Sequence, residues 1–188
     1  MGSGPSDGHL VSRLRQQQPG AFNEVFLRYR EPIWRFLHRL CGRQDVAEDL
    51  FQDTWIAAAR NAHRLREDSQ LLPWLYTIAR NKHRNAVRFR LLDRKLRAGV
   101  REEPASPAPE PDVEMEARRR VAGVELAFKS LPEAYREVLL LVLVEGLSTE
   151  AVAGVLGLRE DAVRKRLSRA RAELARRLEA PDAKGRTP

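Results

Sequence analysis

Between Glu102 and Glu116 the chain carries six acids, no base and four of its eleven prolines. Proline fixes φ and lacks an amide donor, and crowded carboxylates repel one another. Such a run neither sustains a helix nor buries a core. It therefore reads as an acidic, flexible linker over residues 95–120 that joins two modules, 21–94 and 121–178. An N-terminal extension, 1–20, precedes them and a short tail, 179–188, follows.

The charge follows the same division. Lys and Arg number 34 against 26 Asp and Glu, a net charge of +8. The excess is concentrated. Arg80 to Arg97 holds eight bases and one acid, and Arg164 to Arg177 holds seven bases and one acid. Two short basic segments flanking an acidic tether suggest two contacts with a polyanion.

Periodicity makes both modules helical, and no convincing strand appears, so the fold class is all-α with two small helical domains. Ala21, Phe22, Val25, Phe26 and Tyr29 recur at helix spacing, and Ile33, Trp34, Leu37 and Leu40 continue it. Pro32 is expected to kink this helix or start a new one, and Gly42 to end it. A second helix starts near Asp45. Ala47, Leu50, Phe51, Thr54 and Ala58 form its apolar face, Val46 and Trp55 its edges, and Asp49, Gln52 and Ile56 its opposite face. Arg64 to Gln70 reads as a loop. A third helix runs from about Leu72, with Trp74, Leu75, Ile78, Ala86 and Phe89 as a buried stripe and Thr77, Asn81, Arg84 and Arg88 opposite.

In the second module an amphipathic helix is expected around Val121 to Lys129. Ser130-Leu131-Pro132-Glu133 fits a capping box, so the apolar run Val138 to Val144 is taken as a buried helix ending at Gly146. Residues 148–171, STEAVAGVLGLREDAVRKRLSRAR, hold a Ser-capped short helix, a Gly157-Leu158 turn and a basic amphipathic helix. These are the parts of a helix-turn-helix. Val163, Leu167, Ala170, Leu174 and Leu178 line its inner face. Lys165, Ser168 and Arg169, flanked by Arg164 and Arg171, face outward and are candidates for phosphate and base contacts.

Enzyme chemistry is not expected. No phosphate-binding Gly-rich loop, nucleophile elbow or H-E-x-x-H occurs. One cysteine, Cys41, excludes a disulfide framework, and His38 with Cys41 supplies only two possible ligands, so no cofactor or metal is expected. No stretch approaches the ~20 apolar residues of a membrane span, and Met1 to Gly8 lacks a charged-then-apolar leader, so a cytoplasmic location without membrane insertion is expected.

Two stretches carry a family resemblance. LPEAYREVLLLVLVEGLSTEAVAGVLGL followed by VRKRLSRARAEL resembles the C-terminal domain of the bacterial extracytoplasmic-function sigma factors. AFNEVFLRYREPIWRFLHRLCG, DVAEDLFQDTWIAAARN and LLPWLYTIARNKHRNAVR resemble their N-terminal domain. The resemblance implies a dissociable initiation subunit of RNA polymerase, with core polymerase, promoter DNA and an anti-sigma factor as partners, associated with the nucleoid during initiation. It implies polymerase binding by Asp49, Gln52, Asp53 and Trp55, with Trp55 mostly core and partly contact. It implies minus-ten contacts by Asn81, Lys82, Arg84, Asn85 and Arg88, of which Lys82 and Asn85 lie nearer the apolar stripe. Leu65 to Gln70 matches the loop that captures an unstacked base. The helix with Arg164, Lys165, Ser168, Arg169 and Arg171 matches the reader of a duplex minus-thirty-five element. The acidic linker is either a strand-like mimic of nucleic acid or a solvated spacer. Three departures stand out: Asp161-Ala162 where Gly-Thr is common, Thr149 where an aromatic is common, and Pro32. A repressor acting without polymerase would leave the first basic module unexplained, and an adaptor for acidic proteins would leave both.

Overall fold

The computed structural model describes residues 6–96 and 114–179, and all regular structure among them is helical. The first module comprises α1 (Asp7–Arg15), α2 (Ala21–Cys41), α3 (Gln44–Asn61) and α4 (Leu71–Leu96). The second comprises α5 (Glu114–Lys129), α6 (Glu133–Leu139), α7 (Thr149–Leu156) and α8 (Glu160–Glu179).

Helix α1 lies in what the sequence suggested was only an extension. Ser6 accepts the His9 amide, Asp7 opens the first turn, and Leu10, Val11 and Leu14 are buried. The acid at the N-terminal turn suits the helix dipole. Tyr29 donates to Asp7 Oδ1 at 2.5 Å, and Arg28 lies 3.2 Å from the same oxygen. Burial and then Asp7 push the Tyr29 hydroxyl up to about 12.

Helix α2 runs unbroken through Pro32, so no new helix starts there. The lost amide bond is offset by packing on both sides of the proline, where Tyr29, Ile33, Phe36 and Leu37 are all buried. Gly42, at φ 67°, ends the helix as expected. Phe22, Phe26, Phe51 and Trp55 meet edge-to-face or tilted and join α2 to α3.

Three local expectations in the second module need correction. Helix α5 starts at Glu114, inside the acidic run, because the last proline of that run is Pro111 and nothing beyond it opposes a helix. The rest of the presumed linker, 97–113, lies outside the described residues. The Ser130 capping box does not form. The cap of α6 is Pro132, while Ser130 Oγ donates to the Ala127 carbonyl and accepts from Arg177. The run Val138 to Val144 is helical, but its last turn, Leu140–Val144, widens to a π-helix before Gly146 at φ 68°. Ser148 does cap α7, accepting the Ala151 amide at 3.1 Å. Gly157, at φ 65°, makes the turn into α8.

The modules are docked. Helix α4 packs on α7, and α2 packs on α6 and the π turn. One buried cluster runs through both, from Leu10 to Ala170. Phe36 of α2 and Tyr76 of α4, both fully buried, stack edge-to-face beside the seam, with centroids 5.1 Å apart.

Candidate nucleic-acid interface

Two basic faces reach solvent. On α4, Asn81, Arg84, Asn85 and Arg88 are exposed. Lys82 is half-buried and points to Asp53 of α3 at 3.4 Å. Asn85, expected near the apolar stripe, is therefore as available as the others. Phe89, expected in that stripe, is 72% exposed. It lies more than two turns beyond Ala79, the last fully buried apolar residue of α4.

The loop before α4 is shaped by its own bonds. The Arg66 amide donates to Ser69 Oγ at 2.9 Å, and Arg66 pairs with Asp68. Leu65 is buried, while Arg66, Glu67, Asp68 and Gln70 are exposed. Between this loop and α4 lies a cleft of about 370 Å³, lined by Asn61, Arg64, Leu65, Ser69, Trp74 and Ile78.

On α8, Val163, Leu167 and Ala170 are buried, and Arg164, Lys165, Ser168, Arg169 and Arg171 are exposed. Leu178, expected on the inner face, is half-exposed at the last turn. Arg164 is occupied within its own helix, pairing with Glu160 and Asp161 of the first turn. Those carboxylates, Asp161 first, hold its guanidinium in the charged form. Thr149 donates to Glu160 at 2.6 Å and so ties the start of α7 to the start of α8. Lys165, Ser168, Arg169 and Arg171 are thus the less encumbered members of this face.

On α3, Asp49, Gln52, Asp53 and Ile56 are exposed along one side. Trp55 is not among them. It is 6% exposed, packed on Phe22, Phe26 and Phe51, and its indole N–H has no partner among the described residues. Its side chain thus belongs almost wholly to the core. At the edge of the apolar stripe, the aromatic residues of α2 cover it.

The sequence reading missed a second polar stripe on α4. Tyr76, Arg80 and His83 are all buried against the second module. Tyr76 donates to Glu145 Oε2 at 2.5 Å. Arg80 Nε donates to Glu137 Oε1 at 3.0 Å, with the residues 8% and 3% exposed, and its Nη1 reaches the Val155 carbonyl. His83 Nδ1 lies 3.2 Å from Glu133 Oε1. Burial pushes the His83 imidazole down and the Glu137 carboxyl up, in the latter case despite Arg80. The signal was present as polar residues at i, i+4 and i+7 beside the apolar Leu75 and Ala79.

Cys41 sits near the same seam. Burial raises its thiol to about 11, against opposing fields from Arg90 and Arg136. Only the thiolate reacts. Alkylation by iodoacetamide at neutral pH should run about a hundredfold slower than for a free thiol, since two pKa units remove that share of thiolate. Mass spectrometry over time would measure it, and a rate equal to that of glutathione would contradict the burial.

No helix among the described residues is long and apolar enough to cross a membrane, and no cluster of three potential metal ligands occurs among them. Residues 25–90 match the family described as Sigma-70 region 2, and residues 123–174 match Sigma-70, region 4. The chain belongs to the sigma-70 family of RNA polymerase sigma factors, in its extracytoplasmic-function group. It is 32% identical to the RNA polymerase sigma factor CarQ of Myxococcus xanthus over 160 residues, covering 85% of this chain and 90% of that one. It is 34% identical to the sigma factor CnrH of Cupriavidus metallidurans over 190 residues, covering 95% and 97%. Among solved structures it resembles the sigma factor RpoE of Bartonella quintana, in complex with the anti-sigma factor NepR. The TM-score is 0.71 at 27% identity, covering 86% of this chain and 99% of that one.

Proposed function

We propose that this chain directs bacterial RNA polymerase core to specific promoters and takes part in opening them. In this reading Asn81, Arg84, Asn85 and Arg88 contact the minus-ten element, with Lys82 at the edge of that face. The cleft beside Leu65 and Trp74 takes the extruded base, whose unstacking costs a few kcal/mol that contacts must offset. Lys165, Ser168, Arg169 and Arg171 read the minus-thirty-five element in duplex form, with Arg164 the least available. Asp49, Gln52 and Asp53 face the polymerase, and Trp55 supports them from beneath. Catalysis is left to the polymerase, and the site of action is the cytoplasm. Control by an anti-sigma factor is supported by the RpoE neighbour, a sigma factor bound to one.

The observation that carries this reading is the pair of exposed basic helix faces, one in each matched region. Core polymerase with the purified protein on a promoter library tests it, and absence of promoter-specific transcripts would refute it. A single change sharpens the test. Arg169→Ala should weaken transcription from a selected promoter by about 1–3 kcal/mol in binding, the range for a base-contacting arginine. Core binding should be unchanged in a pull-down, and its loss would put α8 in a different role.

A further inference from the structure

The buried stripe of α4 continues its exposed basic face. Arg84 is four residues from Arg80, so the two side chains are separated by about 40° around the helix. Arg80 and His83 thus belong to one basic surface with Arg84 and Arg88, half of it solvated and half of it under the second module. What covers the hidden half is a pair of carboxylates, Glu133 against His83 and Glu137 against Arg80. Carboxylate and phosphate oxygens suit a guanidinium in the same way, by charge-assisted hydrogen bonds.

We propose that Arg80 and His83 are a further nucleic-acid-contacting stripe of α4, kept covered in the docked chain by Glu137 and Glu133 of the second module. The proposal rests on the promoter-binding reading above.

The seam is built to come apart. Two buried side-chain polar atoms without a hydrogen-bond partner among the described residues face it, Arg136 Nε and Glu145 Oε1. A cleft of about 270 Å³ runs between Trp74 and Thr77 on one side and Ser148, Glu150 and Gly154 on the other. Unpartnered polar groups cost free energy that separation into water returns. Once α4 is released, Arg80 loses its carboxylate partner and His83 loses the burial that holds its imidazole below its ordinary value. Phosphates supply what both then lack.

The test uses the full chain and a fluorescein-labelled 20-nucleotide nontemplate strand from a library-selected promoter. Glu137→Gln should bind it roughly five- to tenfold tighter than the unaltered chain, because more of the population is open. The slope of log affinity against log salt should steepen by about 0.7 for each cation uncovered on a single strand. X-ray scattering should report a larger radius of gyration. Adding Arg80→Ala to Glu137→Gln should abolish the gain in affinity and slope while leaving the expansion. Glu137→Asp, which keeps the charge but shortens its reach, serves if the glutamine variant does not fold. Equal binding by the single and double variants would overturn the stripe and leave polymerase as the surface Arg80 serves. Unchanged scattering would overturn the role of Glu137 as cover. Failure of the promoter reading is distinct, since it removes promoter-specific transcription by the unaltered protein with core polymerase.

Discussion

Arg80→Ala should cost the docked protein about 3–5 kcal/mol at pH 8, the typical loss when one partner of a buried ion pair is removed. Arg80 and Glu137 are 8% and 3% exposed and meet at 3.0 Å. Removing the guanidinium leaves a carboxylate in a desolvated site with no counter-charge. Urea denaturation followed by tryptophan fluorescence measures the loss. Arg80→Ala with Glu137→Gln should recover much of it, because no charge is then stranded. A double variant as unstable as the single one would mean that Arg80 acts through packing of its methylene stem.

The same variant carries a pH signature. Burial raises Glu137 in the docked state, with Arg80 opposing and Glu133 adding to the rise. A carboxyl raised on folding binds its proton more tightly in the native state, so its contribution is present below the ordinary carboxylate value and is lost as pH rises through the raised one. Without Arg80 the native value rises further. The deficit of Arg80→Ala relative to the unaltered chain should therefore shrink from pH 8 to pH 5. His83 works the other way. Its imidazole is depressed by burial, with Arg136 and Arg90 adding to the drop and Glu133 opposing it, so its contribution to stability is lost as pH falls below the ordinary histidine value. Both chains share that loss, so it cancels in the comparison. A deficit that grows toward pH 5 would contradict the assignment.

How legible this was from sequence differs by element. The outer faces of α4 and α8 were legible because polar residues at helical spacing opposite an apolar stripe have one arrangement that buries the stripe. The turn at Gly157 was legible because its geometry calls for glycine, whose φ there is positive. The capping box at Ser130 was not, because Arg177, 47 residues away, competes for the same hydroxyl. Pro32 starts no new helix because intrinsic propensity is overridden when four buried neighbours fix the helix. The docking was hidden most deeply. Arg80 reads as one more member of a basic helix, and only the approach of Glu137, 57 residues on, makes it a buried residue. Charge counting separates the chain into two basic helices. It cannot register that one of their cations is neutralised by the other module.

Phe36→Ala should be the most damaging single change in the first module. The ring is fully buried, stacks edge-to-face on Tyr76 at 5.1 Å, and joins α2 to α4. Truncating a buried phenylalanine costs about 3–5 kcal/mol, from lost transfer energy and the cavity left behind. For a chain of this size that lowers the melting temperature by roughly 6–20 °C, read by far-ultraviolet circular dichroism. Phe36→Leu should lose far less, because it keeps most of the volume. The consequence extends past stability. Tyr76 donates to Glu145, whose other oxygen already lacks a partner. A Tyr76 ring freed from Phe36 cannot hold that bond in place. Phe36→Ala should then loosen the docking of the modules at temperatures where the first module is still folded, seen as faster alkylation of Cys41 before helix is lost. If alkylation and helix loss coincide, the seam has no independent stability, and the two modules melt as a single unit.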